Sequence, residues 1–416
     1  MTTKSDVLII GGGPVGLSCA YYLLKSGRSV TLLDAKEIGK GSGSGNAGHI
    51  VPSHIIPLAA PGVVTSALKW MLDPAHSPFS MKVSLDPNYL IWLLRFTLAC
   101  SQTNVLRGIA PFKELGQLSA KNFAEIIAEE NFDCHYRQAG FLNLYKDSKT
   151  FDEGRHEAEF AQKHNIPVGV YDKAKVHEVE PAAREDVIGG VHFTGDAHVN
   201  PGLFLKLLGE RIRAMGADVH EHMLVTRFES AGGKVRVVKT GSGGFEAGQV
   251  ILAAGAWSPI VGRDLRIKIP IQPARGYSLT ASAIQNMPRR ALILGDRRVA
   301  VSPFGDLLRV TGRLEVGEYG TTPNPKWIAR LENFAREYLR IDEALDVKET
   351  WAGLRPVTPD GLPIIGRSPK HDNLFLATGH AMLGLSLAPG TGLVVSQLLN
   401  GQEPAVSLMP MRLDRF

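Results

Sequence analysis

Few folds are open to a chain that begins as this one does. Asp6-Val-Leu-Ile-Ile10 is a short apolar run rich in β-branched residues, the pattern of a buried strand. It runs into Gly11-Gly-Gly13-Pro-Val-Gly16, after which Leu17, Ala20, Tyr21 and Leu24 recur at helical spacing. Ser29-Val-Thr-Leu-Leu-Asp34 then supplies a second strand. In this frame Gly11 permits the tight turn, Gly13 lets the backbone approach a pyrophosphate, and Gly16 lets helix and strand pack closely. The helix start offers free N–H groups and the positive end of its dipole. Asp34, at the end of the second strand, places a carboxylate where a ribose diol is bound. Strand, turn, helix, strand and acid together point to a dinucleotide site.

A chain of 416 residues is too long for one simple core, and two joined domains are expected. Hydrophobic residues make up 44% and charged residues 21%, as in an ordinary globular protein, and the net charge is +5 with no basic arm of the kind that binds nucleic acid. Cys19, Cys100 and Cys134 are widely spaced and form no CxxC. That pattern argues against a metal or disulfide framework and suits a reducing compartment. The first strand begins at once, so no leader peptide is expected, and no apolar run approaches the ~20 residues of a membrane span. A cytoplasmic protein is expected.

Ile38–His49 is a second glycine- and serine-rich stretch just beyond Asp34, suited to lie close against the same ligand. Residues 57–130 read as helix broken by prolines. Within them Tyr89–Cys100 is the most apolar segment, long enough for a buried or interfacial helix that packs in the protein or touches a membrane or partner. Gly140–Tyr145 reads as a strand, 151–170 as a helix, and Pro201–Met215 as a helix capped by Asn200. Asp218–Glu229, Lys234–Thr240 and Phe245–Leu252 form a meander pattern. Tyr277–Ala281, Ala291–Leu294, Val299–Pro303 and Leu307–Gly312 read as strands, and Lys326–Leu339 as an amphipathic helix.

Two later stretches favour a flavin over a nicotinamide cofactor. Gln249-Val-Ile-Leu-Ala-Ala-Gly255 is an apolar strand ending in small residues, able to lie beside the first strand. Leu374-Phe-Leu-Ala-Thr-Gly-His380 is a third of the same kind. It leads to Pro389-Gly-Thr-Gly392 and a helix whose N-terminus is expected to support the negative charge of a reduced isoalloxazine.

The segments GGGPVG…LLDA, Ser44-Gly-Asn-Ala-Gly48, ILAAGAWS, Ala274–Thr280, WAGLRPVTPDGLPIIG and ATGHAMLGLSLAPGTG resemble the D-amino acid oxidase superfamily of FAD flavoproteins. Within it the chain is most similar to bacterial D-amino acid dehydrogenases, and Ala59–Gly62 and Ala67–Met71 share that pattern. The chain departs from them at His49, where glutamine is usual, and at Leu385, where tryptophan is typical. Its Ser386–Gly392 segment is closer to relatives of the glycine oxidase and D-hydroxyproline dehydrogenase kind.

The resemblance implies an α/β architecture: a Rossmann-like FAD-binding domain of the glutathione-reductase type (1–85, 197–265 and 351–416) and an α+β, antiparallel-sheet substrate domain (86–196 and 266–350). It implies non-covalent FAD, since no cysteine lies in a flavin-contacting motif apart from Cys19 in the first helix. The expected cofactor contacts are Gly11, Gly13, Pro14, Val15, Gly16, Asp34 and Ala35, then Ser42, Gly43, Asn46, Ala47, Gly48 and His49. They continue with Val225, Ala254, Gly255 and Trp257, and end with Gly379, Leu383, Gly384, Leu385 and Ser386.

Oxidising an amino acid requires its carboxylate held, its Cα–H aimed at the cofactor and its amine unprotonated. Arg355 is the expected carboxylate clamp, because a guanidinium offers two parallel donors to two oxygens. Tyr277 is expected beside it. His49 and Met382 are expected to shape the substrate pocket, and His380 and His49 to touch the flavin, as packed or proton-tuning groups. No general base is needed if the α-hydrogen leaves as hydride from the free amine. The expected activity is oxidation of D-amino acids to imino acids, with electrons passed to a quinone or other acceptor, possible contact with the inner face of the cell membrane, and water completing the hydrolysis. The alternatives are a cyclic substrate such as D-proline or cis-4-hydroxy-D-proline, a glycine-oxidase-like amine oxidase, and a non-catalytic flavoprotein assembly factor.

Overall fold

The computed structural model describes residues 3–71, 77–82 and 84–416. The parts of the expected helices over 57–130 that fall on 72–76 and 83 lie outside the described residues. Within them, one sheet is assembled from β1 (Thr3–Ile10), β2 (Val30–Leu33), β9 (Asp218–His220), β10 (Val225–Ala231), β11 (Lys234–Thr240), β12 (Gly243–Leu252), β18 (Ile364–Arg367) and β19 (Leu374–Thr378). At its centre β1 pairs in parallel with β2 and β12, with Ile9 opposite Ile251 and Ile10 opposite Leu252. β19 joins β12, also in parallel. The apolar run of β1 is continuous because both faces are covered. Val7 and Ile9 enter one core cluster, and Leu8 and Ile10 another.

Helices α1 (Pro14–Lys25), α7 (Pro201–Ala214) and α10 (Ala388–Leu399) pack on the first of those faces. Asn200 caps α7 by accepting from the Leu203 N–H at 3.2 Å. A Cβ on Gly16 would stand 1.8 Å from the Gly11 carbonyl oxygen, so helix and strand can approach this closely only with glycine there. Short strands β3 (His49–Ile50) and β8 (Ala197–His198) pair with each other and tie the glycine-rich stretch to the middle of the chain.

The second sheet runs β17 (Val347–Val357), β13 (Gln272–Ser282), β16 (Leu307–Val316), β15 (Val299–Phe304), β14 (Ala291–Leu294), β5 (Phe141–Tyr145), β7 (Gly189–Phe193) and β6 (Val168–Asp172), with β4 (Phe79–Met81) on β16. Helix α9 (Pro325–Tyr338) buries Trp327, Leu331, Phe334 and Tyr338 against one face of it. Helix α5 (Ser148–Lys163) covers the opposite face near β5 and β7. The remaining helices are α2 (Val63–Met71), α3 (Pro87–Ala99), α4 (Gln102–Glu129), α6 (Lys173–Val179) and the short α8 (Ser258–Val261).

Strand pairing crosses the expected boundaries in two places and helix packing in a third. β4 and the whole of β17 belong to the second sheet, and α4 places Phe112, Leu115, Phe123 and Ile126 in the core of the first. The helices of 57–130 are interrupted as expected, with Pro87 opening α3, but proline does not break the next helix. Pro111 lies inside α4, which runs 28 residues.

Candidate active site

A cavity of about 1820 Å³ opens where the carboxyl ends of β1, β2, β12 and β19 face the second sheet, marked by Ile10, Leu33, Ala253 and Ala377 in its wall. Open α/β sheets bind ligands at this end of their strands. The volume exceeds the ~300–1,000 Å³ typical of a small-molecule pocket, leaving room for a dinucleotide and a substrate together.

The first loop fits a pyrophosphate. Gly13 caps α1 with no side-chain hydrogen bond to the free N–H groups, and a Cβ built on it meets nothing within 4 Å. Gly11 reaches its turn at φ +111° and passes so close to Ala253 that a Cβ would fall 2.5 Å from that carbonyl oxygen. Asp34 is held at the cavity edge, Oδ2 accepting from Gly12 N–H at 2.6 Å and Oδ1 from Lys36 N–H at 2.7 Å.

The second glycine-rich stretch is fixed by a residue without a sequence signature. Arg309, buried on β16, donates to the Ser44 carbonyl at 2.6 Å and the Asn46 carbonyl at 3.1 Å, and pairs with Glu349 at 3.2 Å. Trp351 lies flat against the same stretch, 2.1 Å from where a Cβ on Gly45 would stand.

Of the expected contacts, Gly11, Gly13, Pro14, Val15, Asp34, Ala35, Ser42, Gly43, Asn46, Ala47 and His49 line the cavity. So do Val225, Ala254, Gly255, Trp257, Arg355, Gly379, His380, Met382, Leu383, Gly384 and Leu385. Four do not. Gly16 is a packing residue. Gly48 is turned at φ +75° against Val199. Ser386 accepts from Val51 N–H at 2.9 Å behind the last loop. Tyr277 is the clearest correction. It points to the α9 side of the sheet, fully buried, and donates to Glu315 at 2.7 Å. The start of α10 also sits behind the wall, with Gly390 N–H bound by Ser119 Oγ at 3.1 Å. The loop Gly379–Leu385 meets the cavity instead of that helix N-terminus.

Both histidines expected at the flavin are neutral groups. Burial, followed by the nearby His198, pulls His49 down to about 3. Burial alone does the same to His380, whose Nε2 lies 3.0 Å from Thr391 Oγ1. None of Cys19, Cys100 or Cys134 lines the cavity, so no thiol is placed for covalent attachment.

Arg355 reaches the cavity from β17. Its Nη1 donates to the Arg313 carbonyl at 2.7 Å, and no ion pair to it exists among the described residues. Burial lowers the guanidinium to about 10, which leaves it charged at neutral pH.

Residues 6–398 match the family of FAD dependent oxidoreductases that includes D-amino acid oxidase. The chain belongs to that family. Its cofactor is FAD, and the protein is an oxidoreductase. Similar members include the D-amino acid dehydrogenases of Methylobacterium radiotolerans, 31% identical over 99% of both chains, and of Rhodopseudomonas palustris, 30% identical over 99% of this chain and 97% of the other. Among solved structures, glycine oxidase from Geobacillus kaustophilus superposes with a TM-score of 0.82 at 23% identity, covering 100% of both chains. L-proline dehydrogenase from P. horikoshii superposes at 0.76 and 20% identity, covering 100% of this chain and 99% of the other. At these identities the structural matches establish the fold of this flavoprotein.

Proposed function

We propose that this flavoprotein oxidises D-amino acids at the Cα–N bond. The product imine is hydrolysed by water to a 2-oxo acid and ammonia, and the two electrons go on to a quinone or comparable acceptor. Arg355 carries the reading. A half-buried, charged guanidinium that faces a cavity and, among the described residues, bonds to a backbone carbonyl and to no carboxylate is matched by an anionic ligand group, and a carboxylate takes two of its donors at once. The preference for the D-series is supported by the relatives' activities.

Bound FAD supplies the two-electron acceptor. The chain's own groups bind and orient. Arg355 holds the carboxylate, and His49 and His380, both neutral, add no charge of their own to the pocket. Release of the α-hydrogen as hydride from a neutral amine asks for no general base from the chain.

The acceptor reading draws on a second part of the cavity. Val64, Phe79, Trp92, Leu93 and Phe96 form an apolar wing beneath α3. On the outside of that helix Leu90, Ile91, Leu94 and Leu98 stand exposed, Leu94 at 60% and Leu98 at 70%. No helix among the described residues is long and apolar enough to cross a membrane. An apolar helix face beside an apolar passage suits an acceptor drawn from the cytoplasmic surface of a bilayer.

The deciding experiment follows flavin bleaching without oxygen across D- and L-amino acids, glycine, D-proline and cis-4-hydroxy-D-proline. Rapid bleaching by linear D-amino acids is expected. Bleaching confined to the cyclic compounds would replace the substrate, and no bleaching at all would leave a flavoprotein without this activity.

A further inference from the structure

The carbonyl that Arg355 binds belongs to an unusual residue. Arg313 sits inside β16 at φ +71°, a left-handed backbone that a side-chain-bearing residue rarely adopts. The pairing of β13 with β16 slips here. Arg275 lies opposite Glu315 and Tyr277 opposite Gly312, so Arg313 and Leu314 together face the single residue Gly276. This is a β-bulge, a device that re-aims backbone groups, and glycine is its usual left-handed occupant.

An arginine tolerates that position because its side chain is pinned on three sides. The guanidinium lies over the Trp327 ring, 3.8 Å from its centre. Nε donates to Glu315 at 3.2 Å, and Nη1 donates to the Ser77 carbonyl beside β4. Glu315 is itself braced by Tyr277 at 2.7 Å and by Arg275 at 2.8 Å. Across the bulge Gly276 clears the space above the sheet. A Cβ there would stand 2.0 Å from Arg355 Nη1 and 2.4 Å from Nη2.

We propose that Arg313 is a positioning residue for substrate binding: its pinned, left-handed backbone turns one carbonyl to Arg355 and so fixes the orientation in which the guanidinium meets a carboxylate. The inference rests on Arg355 being the clamp. One N–H is taken by Arg313 and the plane rests over Gly276, which leaves the other donors set toward the cavity. The Tyr277–Glu315–Arg275 group then has a purpose that its absence from the cavity wall conceals, since it holds the pin.

The test uses the FAD-loaded enzyme with benzoate as a carboxylate probe, read by the perturbation of the flavin spectrum. Arg313→Ala keeps a Cβ at the strained position and removes the pins. It is expected to weaken benzoate about tenfold and to raise KM in parallel while kcat changes less. Arg313→Gly, free to adopt the left-handed backbone, is expected to recover part of the loss. Should the alanine protein not fold, Trp327→Leu removes the stacking face and is expected to shift benzoate in the same direction. Unchanged benzoate affinity in a flavin-loaded Arg313→Ala or Trp327→Leu protein overturns the proposal. Arg355→Met separates it from the reading beneath it: unchanged benzoate binding there removes the clamp itself. Lost binding in Arg355→Met with normal binding in the Arg313 variants removes only the positioning role.

Discussion

His49 and Ser302 are joined by a hydrogen bond whose direction is fixed. Nε2 lies 2.9 Å from Ser302 Oγ, and Ser302 donates its single proton to the Ala47 carbonyl at 2.7 Å. The imidazole must therefore carry its proton on Nε2 and keep a lone pair on Nδ1. With its pKa near 3, it does not titrate in the range where a free histidine would.

The pH profile of kcat should therefore owe nothing to this ring. His49→Gln retains an amide donor for Ser302 and is expected to leave the profile between about pH 5 and 8 unshifted. An ionisation that disappears in the glutamine variant would show that the ring does titrate.

Arg309 predicts cofactor retention. Its loss leaves the Ser44 and Asn46 carbonyls without their donor, at about 1–3 kcal/mol for each buried group left unpaired. Arg309→Met should purify with a lower flavin-to-protein ratio and a lower melting temperature. Full flavin content after dialysis would dismiss the arginine as the anchor of that loop.

Asp196 predicts a slope in stability. It is buried, accepts from Ser53 Oγ at 2.5 Å and Ser53 N–H at 3.2 Å, and burial pushes its carboxyl up to about 7. Unfolded, it titrates near about 3.9. Between those values the folded protein keeps a proton that the unfolded chain has released. Its contribution is therefore full below about pH 4 and is lost as pH rises through 7, at up to about 1.4 kcal/mol per pH unit. Asp196→Asn should flatten the difference in denaturation midpoint across that window. Parallel curves for the two proteins would contradict the assignment.

The outer face of α3 predicts vesicle binding. Leu94→Glu with Leu98→Glu should abolish sedimentation with anionic phospholipid vesicles and leave the reaction with a soluble dye acceptor intact. Equal sedimentation of both proteins would rule out this face as the contact.

Periodic and punctuated segments were legible in the chain. Asp6–Asp34 forms the strand–turn–helix–strand unit, Gln249–Leu252 pairs beside it, and Leu374–Ala377 follows as the next strand out. These strands are buried on both faces, and their apolar runs say so. Asn200 and Pro201 announce α7 because capping is local chemistry. The second sheet's share of the site was far less readable. Tyr277 turns away from the cavity, since a single bulged residue reassigns which side chains share a face, and nothing local marks Arg313 as left-handed. Pro111 misleads in the other direction, for its ring is accommodated within a helix packed on both the first core and the last loop.

The order of strands has a consequence for how the protein is made. β1 and its glycine turn are made well before their neighbour β12, which follows more than two hundred residues later, and β19 with the loop Gly379–Leu385 comes later still. Until those late segments are joined to it, the early unit is only part of a nucleotide cradle. A chain that stops before residue 374 lacks both β19 and that loop, and is expected to leave the cavity open on that side.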